Sequence, residues 1–238
     1  MSGVLAIEAS QRAISVAIRG RDGRVHECAP SGDTRDRDLL LPAIIELCEA
    51  AAVHRRDLKA IAVSTGPGGF TGLRVAISTA KGLCEGLCVP AVDVASALVA
   101  AEGARQLWWT GSANESVVVA LASKGESCWL STITSSGPGS LTLANEGISS
   151  TATFDGPLSG VLLADEHLPA PLRARALERG MRIEPPTFRA AHCLTVSEAL
   201  FAQGRAIDPI ALRVRYPREP DAVTLWRDRY PDGFVAKK

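Results

Sequence analysis

Net charge is the first thing this sequence lacks. Its 26 basic side chains are matched by 26 acidic ones, so it has none of the basic excess that marks a protein binding nucleic acid on its own. Residues 1–105 balance as well, at twelve of each sign, and the last 34 residues hold eight basic against five acidic groups. No apolar run approaches the ~20 residues of a membrane span. The opening Met1-Ser2-Gly3 has neither the basic start nor the apolar stretch of a secretory leader. A cytoplasmic chain with no membrane association is expected. Six cysteines, at 28, 48, 84, 88, 128 and 193, are too few and too scattered for a disulfide scaffold, and no two form C-x-x-C. Cys84 and Cys88 share a face if helical, but two ligands do not make a tetrahedral zinc site. Buried structural thiols are expected instead. Disorder is excluded by 46% hydrophobic and 22% charged residues, which are globular proportions. The 238 residues suffice for one large domain or two small ones.

Short apolar runs at residues 4–7, 13–18 and 25–29, the last two joined by an Asp-Gly turn, predict three antiparallel strands. Leu39, Leu40, Ala43, Ile44, Leu47, Cys48 and Ala51 recur at three and four spacing, a helical period. Pro42 is tolerated only in a first turn, so the helix is placed to start near Leu41 with Asp38 as a candidate cap. A buried strand at 60–64, a glycine loop, a long helix over 70–87, a strand at 89–92 and a helix at 94–104 follow. Strand–helix alternation after a hairpin predicts an α/β fold, a mixed sheet flanked by helices. The stretch 106–115, with Trp108-Trp109, breaks the pattern, and a division is expected there into 1–105 and 106–238, the latter a smaller, divergent subdomain together with the tail. Beyond it the pattern predicts a hairpin from 117–123 and 127–133 around Lys124-Gly-Glu126. A loop at 134–140, a strand at 161–164, helices at 171–179 and 196–204, and an irregular tail from Ile207 complete the reading. No strong internal repeat is legible. Trp108, Trp109 and Trp129 read as core residues, because no basic patch interleaves with them.

The segment Ser64-Thr-Gly-Pro-Gly-Gly-Phe-Thr-Gly-Leu-Arg74 carries the strongest signal. Glycines at 66, 68, 69 and 72, with Thr71, lie between a strand and a helix N-terminus, where backbone N–H groups favour an anion. The spacing matches neither the G-x-x-x-x-G-K-[ST] nor the G-x-G-x-x-G phosphate loop. Two readings remain: an anion cradle, or a tight turn whose glycines let the helix pack closely on the sheet.

Residues 60–83 resemble the signature of the TsaB (YeaZ) family, a strand, then G-P-G-S-F-T-G-[LV]-R, then a helix bearing A-K-G-L, with Gly69 in place of the usual serine. Leu5-Ala-Ile-Glu-Ala-Ser10, Leu39-Leu-Leu-Pro42 and Pro90-Ala-Val-Asp-Val-Ala-Ser96 are similar to further family segments, and Tyr216-Pro-Arg218 matches near the end. The resemblance implies the actin/hexokinase/Hsp70 (ASKHA) fold, with two related α/β subdomains. It also implies a non-catalytic scaffold role in forming threonylcarbamoyladenosine on tRNA. In the family the partner is the catalytic TsaD paralogue, joined by a TsaE-type ATPase, with tRNA met only through the complex. The paralogue's His-x-x-x-His metal pair has no counterpart here, since His26, His54, His167 and His192 are never four apart. No metal, cofactor or catalytic residue is therefore expected. Glu8 stands where the family has Asp and either orients a metal or bonds the adjoining turn.

The two helices bear on partner binding. Leu73, Ile77, Ala80 and Leu87 form one stripe, and Val75, Thr79, Leu83 and Cys84 widen it beyond what packing on one sheet needs. Small side chains at Ala76, Ser78, Thr79, Ala80 and Gly82 would let another helix approach. In the family the first two helices of the two paralogues pack as an intermolecular bundle; the resemblance therefore implies Leu40, Ile44, Leu47, Arg74, Ala76, Thr79, Ala80 and Leu83 as partner-binding residues, with a homodimer when the chain is alone. The same helices buried in the chain's own layers are the plainer alternative. An ATP-dependent kinase-like or peptidase-like enzyme, or a divergent paralogue with another partner, are the competing functions. Arg213, Arg215, Arg218, Arg227 and Arg229 read as a solvated tail that could reach tRNA phosphates.

Overall fold

The computed structural model describes residues 3–29, 39–107, 116–137, 140–154, 160–216 and 221–230. The first sheet has the order β3-β2-β1-β4-β5, from β1 (Val4–Glu8), β2 (Ser15–Arg19), β3 (Val25–Cys28), β4 (Ala60–Gly66) and β5 (Ala91–Ala95). β1, β2 and β3 are an antiparallel meander, while β4 and β5 run parallel to β1. The second sheet has the order β10-β9-β6-β7-β8, from β6 (Ser116–Lys124), β7 (Ser127–Gly137), β8 (Ser140–Ser150), β9 (Gly160–Leu163) and β10 (Met181–Glu184). Read from β8, it repeats the first sheet: three antiparallel strands, then two parallel ones. The repeat invisible in the sequence is thus present in the topology. Strand order depends on which apolar faces meet, and many side-chain choices satisfy one pattern.

Alternation on the central strands sorts the layers. Leu5, Ile7, Ile61 and Val63 face α1 (Leu40–Ala50) and α2 (Phe70–Leu87). Val4, Ala6, Ala17, Ala60 and Ala62 face the opposite layer, α3 (Ser96–Leu107) and α5 (Ala190–Ala202), which also meets Val117, Val119 and Leu163 of the second sheet. The alanines on that face let α5 lie close against the first sheet, and Arg19 clamps it there with two hydrogen bonds to Glu198, at 2.9 and 2.6 Å. The division expected after residue 105 falls inside α3. The far face of the second sheet is covered by α4 (Ala170–Glu178).

Several elements differ from expectation. α1 starts at Leu40 with Leu39 at its cap, and Asp38 lies outside the described residues, as do Trp108 and Trp109. The loop expected at 134–140 is strand on both sides, and β8 is new. Its half-exposed Ser, Asn and Gly positions have little strand propensity and are held by pairing with β7. α5 begins at Ala190, and β10, four residues long, had too little alternation to read. Cys84, Cys128 and Cys193 are buried and Cys28 and Cys48 half-buried, but Cys88 is exposed. It caps α2 in the left-handed region at φ 54°, so it does not share a helical face with Cys84.

Candidate functional site

The glycine loop is closed by the chain's own backbone. The turn after β1 lies directly on it: a Cβ at Gly68 would sit 2.1 Å from the Ser10 carbonyl oxygen, and one at Gly72 would sit 2.4 Å from that of Ala9. Gly69 N–H donates to the Ser10 carbonyl at 2.7 Å, and Gly66 N–H to Ser96 Oγ at 3.1 Å. Gly66 has φ 110°, and a Cβ there would meet the Arg215 carbonyl oxygen at 2.9 Å. Close packing therefore accounts for Gly66, Gly68 and Gly72. Gly69, the N-cap of α2, would place a Cβ in ordinary contact with the Ser10 carbonyl oxygen at 3.8 Å and has an extended backbone, while Thr71 is exposed in the first turn.

Glu8 is fully buried at the end of β1, where its Oε1 accepts the Ser10 N–H at 2.7 Å. Burial pushes its pKa above the usual carboxylate value, against the opposing hydrogen bonds of Ser10 and Ser64. A raised folded pKa favours the fold below the unfolded value of about 4.5 and loses that contribution as pH rises through the folded pKa. Glu8→Gln keeps the acceptor for Ser10 N–H without the titration. Thermal melts of both proteins from pH 4.5 to 8 are expected to diverge in favour of the variant as pH rises; parallel curves would contradict this.

The tail is ordered where it crosses this region. Ile207 exchanges two backbone hydrogen bonds with Ala91, at 3.0 and 2.8 Å, and Leu212 is buried beneath α2 and the sheet. Arg215 N–H donates to the Thr65 carbonyl at 2.8 Å. Its guanidinium reaches Thr65 Oγ1 at 3.2 Å, Asp93 Oδ2 of β5 at 3.0 Å and Glu146 Oε1 of β8 at 3.4 Å. Arg215 thus links both sheets, which corrects its reading as a solvated side chain: paired carboxylates hold it in place. Arg213 bonds the Ile210 and Leu212 carbonyls, and Arg218 lies outside the described residues. A helix, α6 (Asp221–Arg229), follows and carries Arg227 and Arg229.

α1 and α2 leave an apolar groove of about 560 Å³ between them. Ile44, Ile45 and Cys48 line one wall, and Gly82, Leu83, Gly86 and Leu87 the other, with Glu49, His54 and Arg55 also on its lining. Nothing lies within 4 Å of where a Cβ at Gly82 or Gly86 would be. The expected partner-binding residues divide on this geometry. Leu40, Ile44, Leu47, Ala76 and Ala80 are buried against the chain's own sheet, although Ile44 still touches the groove. Thr79 and Leu83 are half-buried and Arg74 is exposed. The residues that sequence reasoning missed are Leu41 and Ile45, 52% and 59% exposed on α1. Their signal was present: they sit four apart, outside the stripe that packs on the sheet.

Residues 34–154, just over half of the chain, match the family model described as TsaD: tRNA N6-adenosine threonylcarbamoyltransferase. The tRNA threonylcarbamoyladenosine biosynthesis protein TsaB of Escherichia coli K12 is 32% identical over 129 residues, 53% of each chain. The chain belongs to the TsaB (YeaZ) family. The TsaB protein of Haemophilus influenzae is likewise 32% identical, over 106 residues and 44% of each chain. The chain spans about half the length of the curated relatives it matches. The structure of YeaZ from Pseudomonas aeruginosa superposes with a TM-score of 0.71 over 90% of this chain and 98% of that one, at 23% identity. TsaB membership and the duplicated sheet topology together give the actin/hexokinase/Hsp70-like fold. Among the described residues of this TsaB-family chain, no helix is long and apolar enough to cross a membrane.

Proposed function

We propose that this chain is a non-catalytic scaffold and activator in the bacterial complex that forms threonylcarbamoyladenosine on tRNA. It seats the TsaD-type catalytic paralogue on the α1–α2 face. The observation that carries the reading is the uncovered groove between these helices in a chain of the TsaB family. Leu41 and Ile45 stand in water beside it. Each contributes up to roughly 1.5–3 kcal/mol once a partner covers it, and Gly82 and Gly86 leave the α2 backbone open to close helix approach. A TsaE-type ATPase joins through the paralogue, tRNA is met only in the complex, and without the paralogue the same face pairs with a second copy. One feature supports a role outside the chemistry: the glycine-loop N–H groups of Gly66 and Gly69 are bonded within the chain.

Mixing the purified chain with its cognate TsaD-type protein tests this. Co-elution, a rise in the partner's threonylcarbamoyl transfer, and negligible ATP hydrolysis by the chain alone are expected. Tight ATP binding with turnover by the isolated chain would favour an ATP-dependent enzyme instead, and failure to co-elute would remove the scaffold reading.

A further inference from the structure

The N-terminal end of α2 carries a second exposed cluster, outside the groove. Phe70 is 51% exposed and Tyr216 41%. Their rings pack with a 35° tilt at 5.7 Å between centroids, the Arg74 guanidinium lies 3.7 Å above the Phe70 ring centre, and Arg74 Nε donates to the Tyr216 hydroxyl at 2.9 Å. Two aromatic rings and an arginine held rigidly in solvent are the side chains that anchor protein interfaces. Their order before contact lowers the entropy cost of binding. Phe70, Arg74, Ser78, Gly82 and Gly86 are all exposed and recur every fourth residue. They form one continuous ridge of the kind that packs into a neighbouring helix's groove, about 24 Å long. It is bulky at the stack and bare at the glycines, where it becomes a wall of the groove.

We propose that the tail strap, residues 207–216, completes the partner-binding face. Tyr216, with Phe70 and Arg74, anchors the TsaD-type partner at one end of the α2 ridge, and Arg215 is the positioning residue that sets Tyr216. This rests on the function proposed above and adds a site to it. Tyr216 follows directly on a residue fixed by the Thr65 carbonyl, Asp93 and Glu146, so its ring is placed from both sheets. A protein fits this ridge better than RNA does. Ser78, Gly82 and Gly86 offer no charge to phosphates, and the Arg74 guanidinium is already stacked and hydrogen-bonded.

The test measures affinity of the full chain for its TsaD-type partner by calorimetry, with melting temperature as the folding control. Tyr216→Ala and Phe70→Ala, both at exposed positions, are expected to raise Kd at least ~10-fold with unchanged melting. Tyr216→Phe, which keeps the ring stack and loses the hydroxyl, is expected to raise it less. Arg215→Ala is expected to weaken binding and Arg215→Lys to restore part of it, which general loss of packing would not reproduce. Kd within twofold of the parent for both alanine variants overturns the anchor. So does a loss of tRNA retention by the complex at unchanged partner affinity, which would assign the stack to RNA. If Ile45→Asp in the groove also leaves Kd unchanged, the α1–α2 face is not the interface; if the parent chain does not bind at all, the scaffold reading itself fails. Weakening by Ile45→Asp alone removes only the anchor.

Discussion

Ile45→Asp is expected to raise the dissociation constant for the TsaD-type partner by at least about 100-fold while leaving the isolated chain folded. Ile45 is more than half exposed and stands outside the layer that packs on the first sheet, so a carboxylate there meets water in the free chain. In the complex the loss combines two effects. Apolar burial of at most roughly 1.5–3 kcal/mol disappears, and an unpaired carboxylate has to leave water at a packed contact. Together these exceed about 3 kcal/mol, and every 1.4 kcal/mol is tenfold in affinity. Leu177→Asp supplies the control, because Leu177 is similarly exposed but lies on α4, away from the groove. A sharper companion is Gly82→Leu or Gly86→Leu. Open space surrounds both positions; glycine in a helix interior, as at Gly82, costs about 1 kcal/mol relative to good helix formers, and less at Gly86 in the last turn of α2. These variants are therefore expected to melt higher than the parent and yet bind the partner poorly, because the new side chain fills the groove. Calorimetric titration beside thermal melts reads both quantities. Equal affinity for Ile45→Asp and the parent would remove the groove from the interface.

Gly68→Ala is expected to destabilise the fold by about 3 kcal/mol. The new methyl would meet the Ser10 carbonyl oxygen at 2.1 Å. That neighbour is backbone in a buried turn, so no flexible side chain can yield. Overpacking of this kind costs roughly 1–3 kcal/mol, and pushing the β1 turn away also stretches the hydrogen bond from Gly69 N–H to Ser10, worth about 1 kcal/mol more. For a chain of this size the melting temperature is expected to fall by roughly 6–12 °C. The adjacent glycine behaves oppositely. Gly69→Ser meets only an ordinary contact with the Ser10 carbonyl oxygen at 3.8 Å, and it has a backbone that serine adopts readily and the N-cap position of a helix with no side-chain cap, so a gain of a few tenths of a kcal/mol is expected. Urea titration of the two variants separates packing from an anion cradle. If Gly68→Ala leaves the midpoint unmoved, close packing does not explain the loop.

The glycine segment shows how far residue types reach. Four glycines between a strand and a helix left two readings, an anion cradle or a close backbone approach, and the resemblance carried by residues 60–83 named the family. Neither told which neighbour makes the approach. That neighbour is the turn after β1, 55 or more residues away in the chain, and distance along the chain hides such a partner from any local pattern. The α1 helix makes the same point about the binding face. Its 3.6 period was legible, but an apolar stripe reads alike whether it faces a sheet of the same chain or a second protein. Only the position of β1, β2 and β4 behind it shows that Leu40, Ile44 and Leu47 are turned inward and Ile45 outward.

Composition and periodicity alone determined that this is an α/β chain with no net charge, that its first half alternates strands and helices, and that a glycine-rich loop precedes α2. Those properties depend on near neighbours and on bulk charge, which a linear string records. The tertiary structure decided the duplicated sheet order, the crossing of α5 onto the first sheet and the lock of Arg215 between Asp93 and Glu146. Each of these is a contact between residues far apart in sequence. Burial and pairing at such contacts depend on what the fold brings opposite a side chain, and the side chain's own identity does not contain that information.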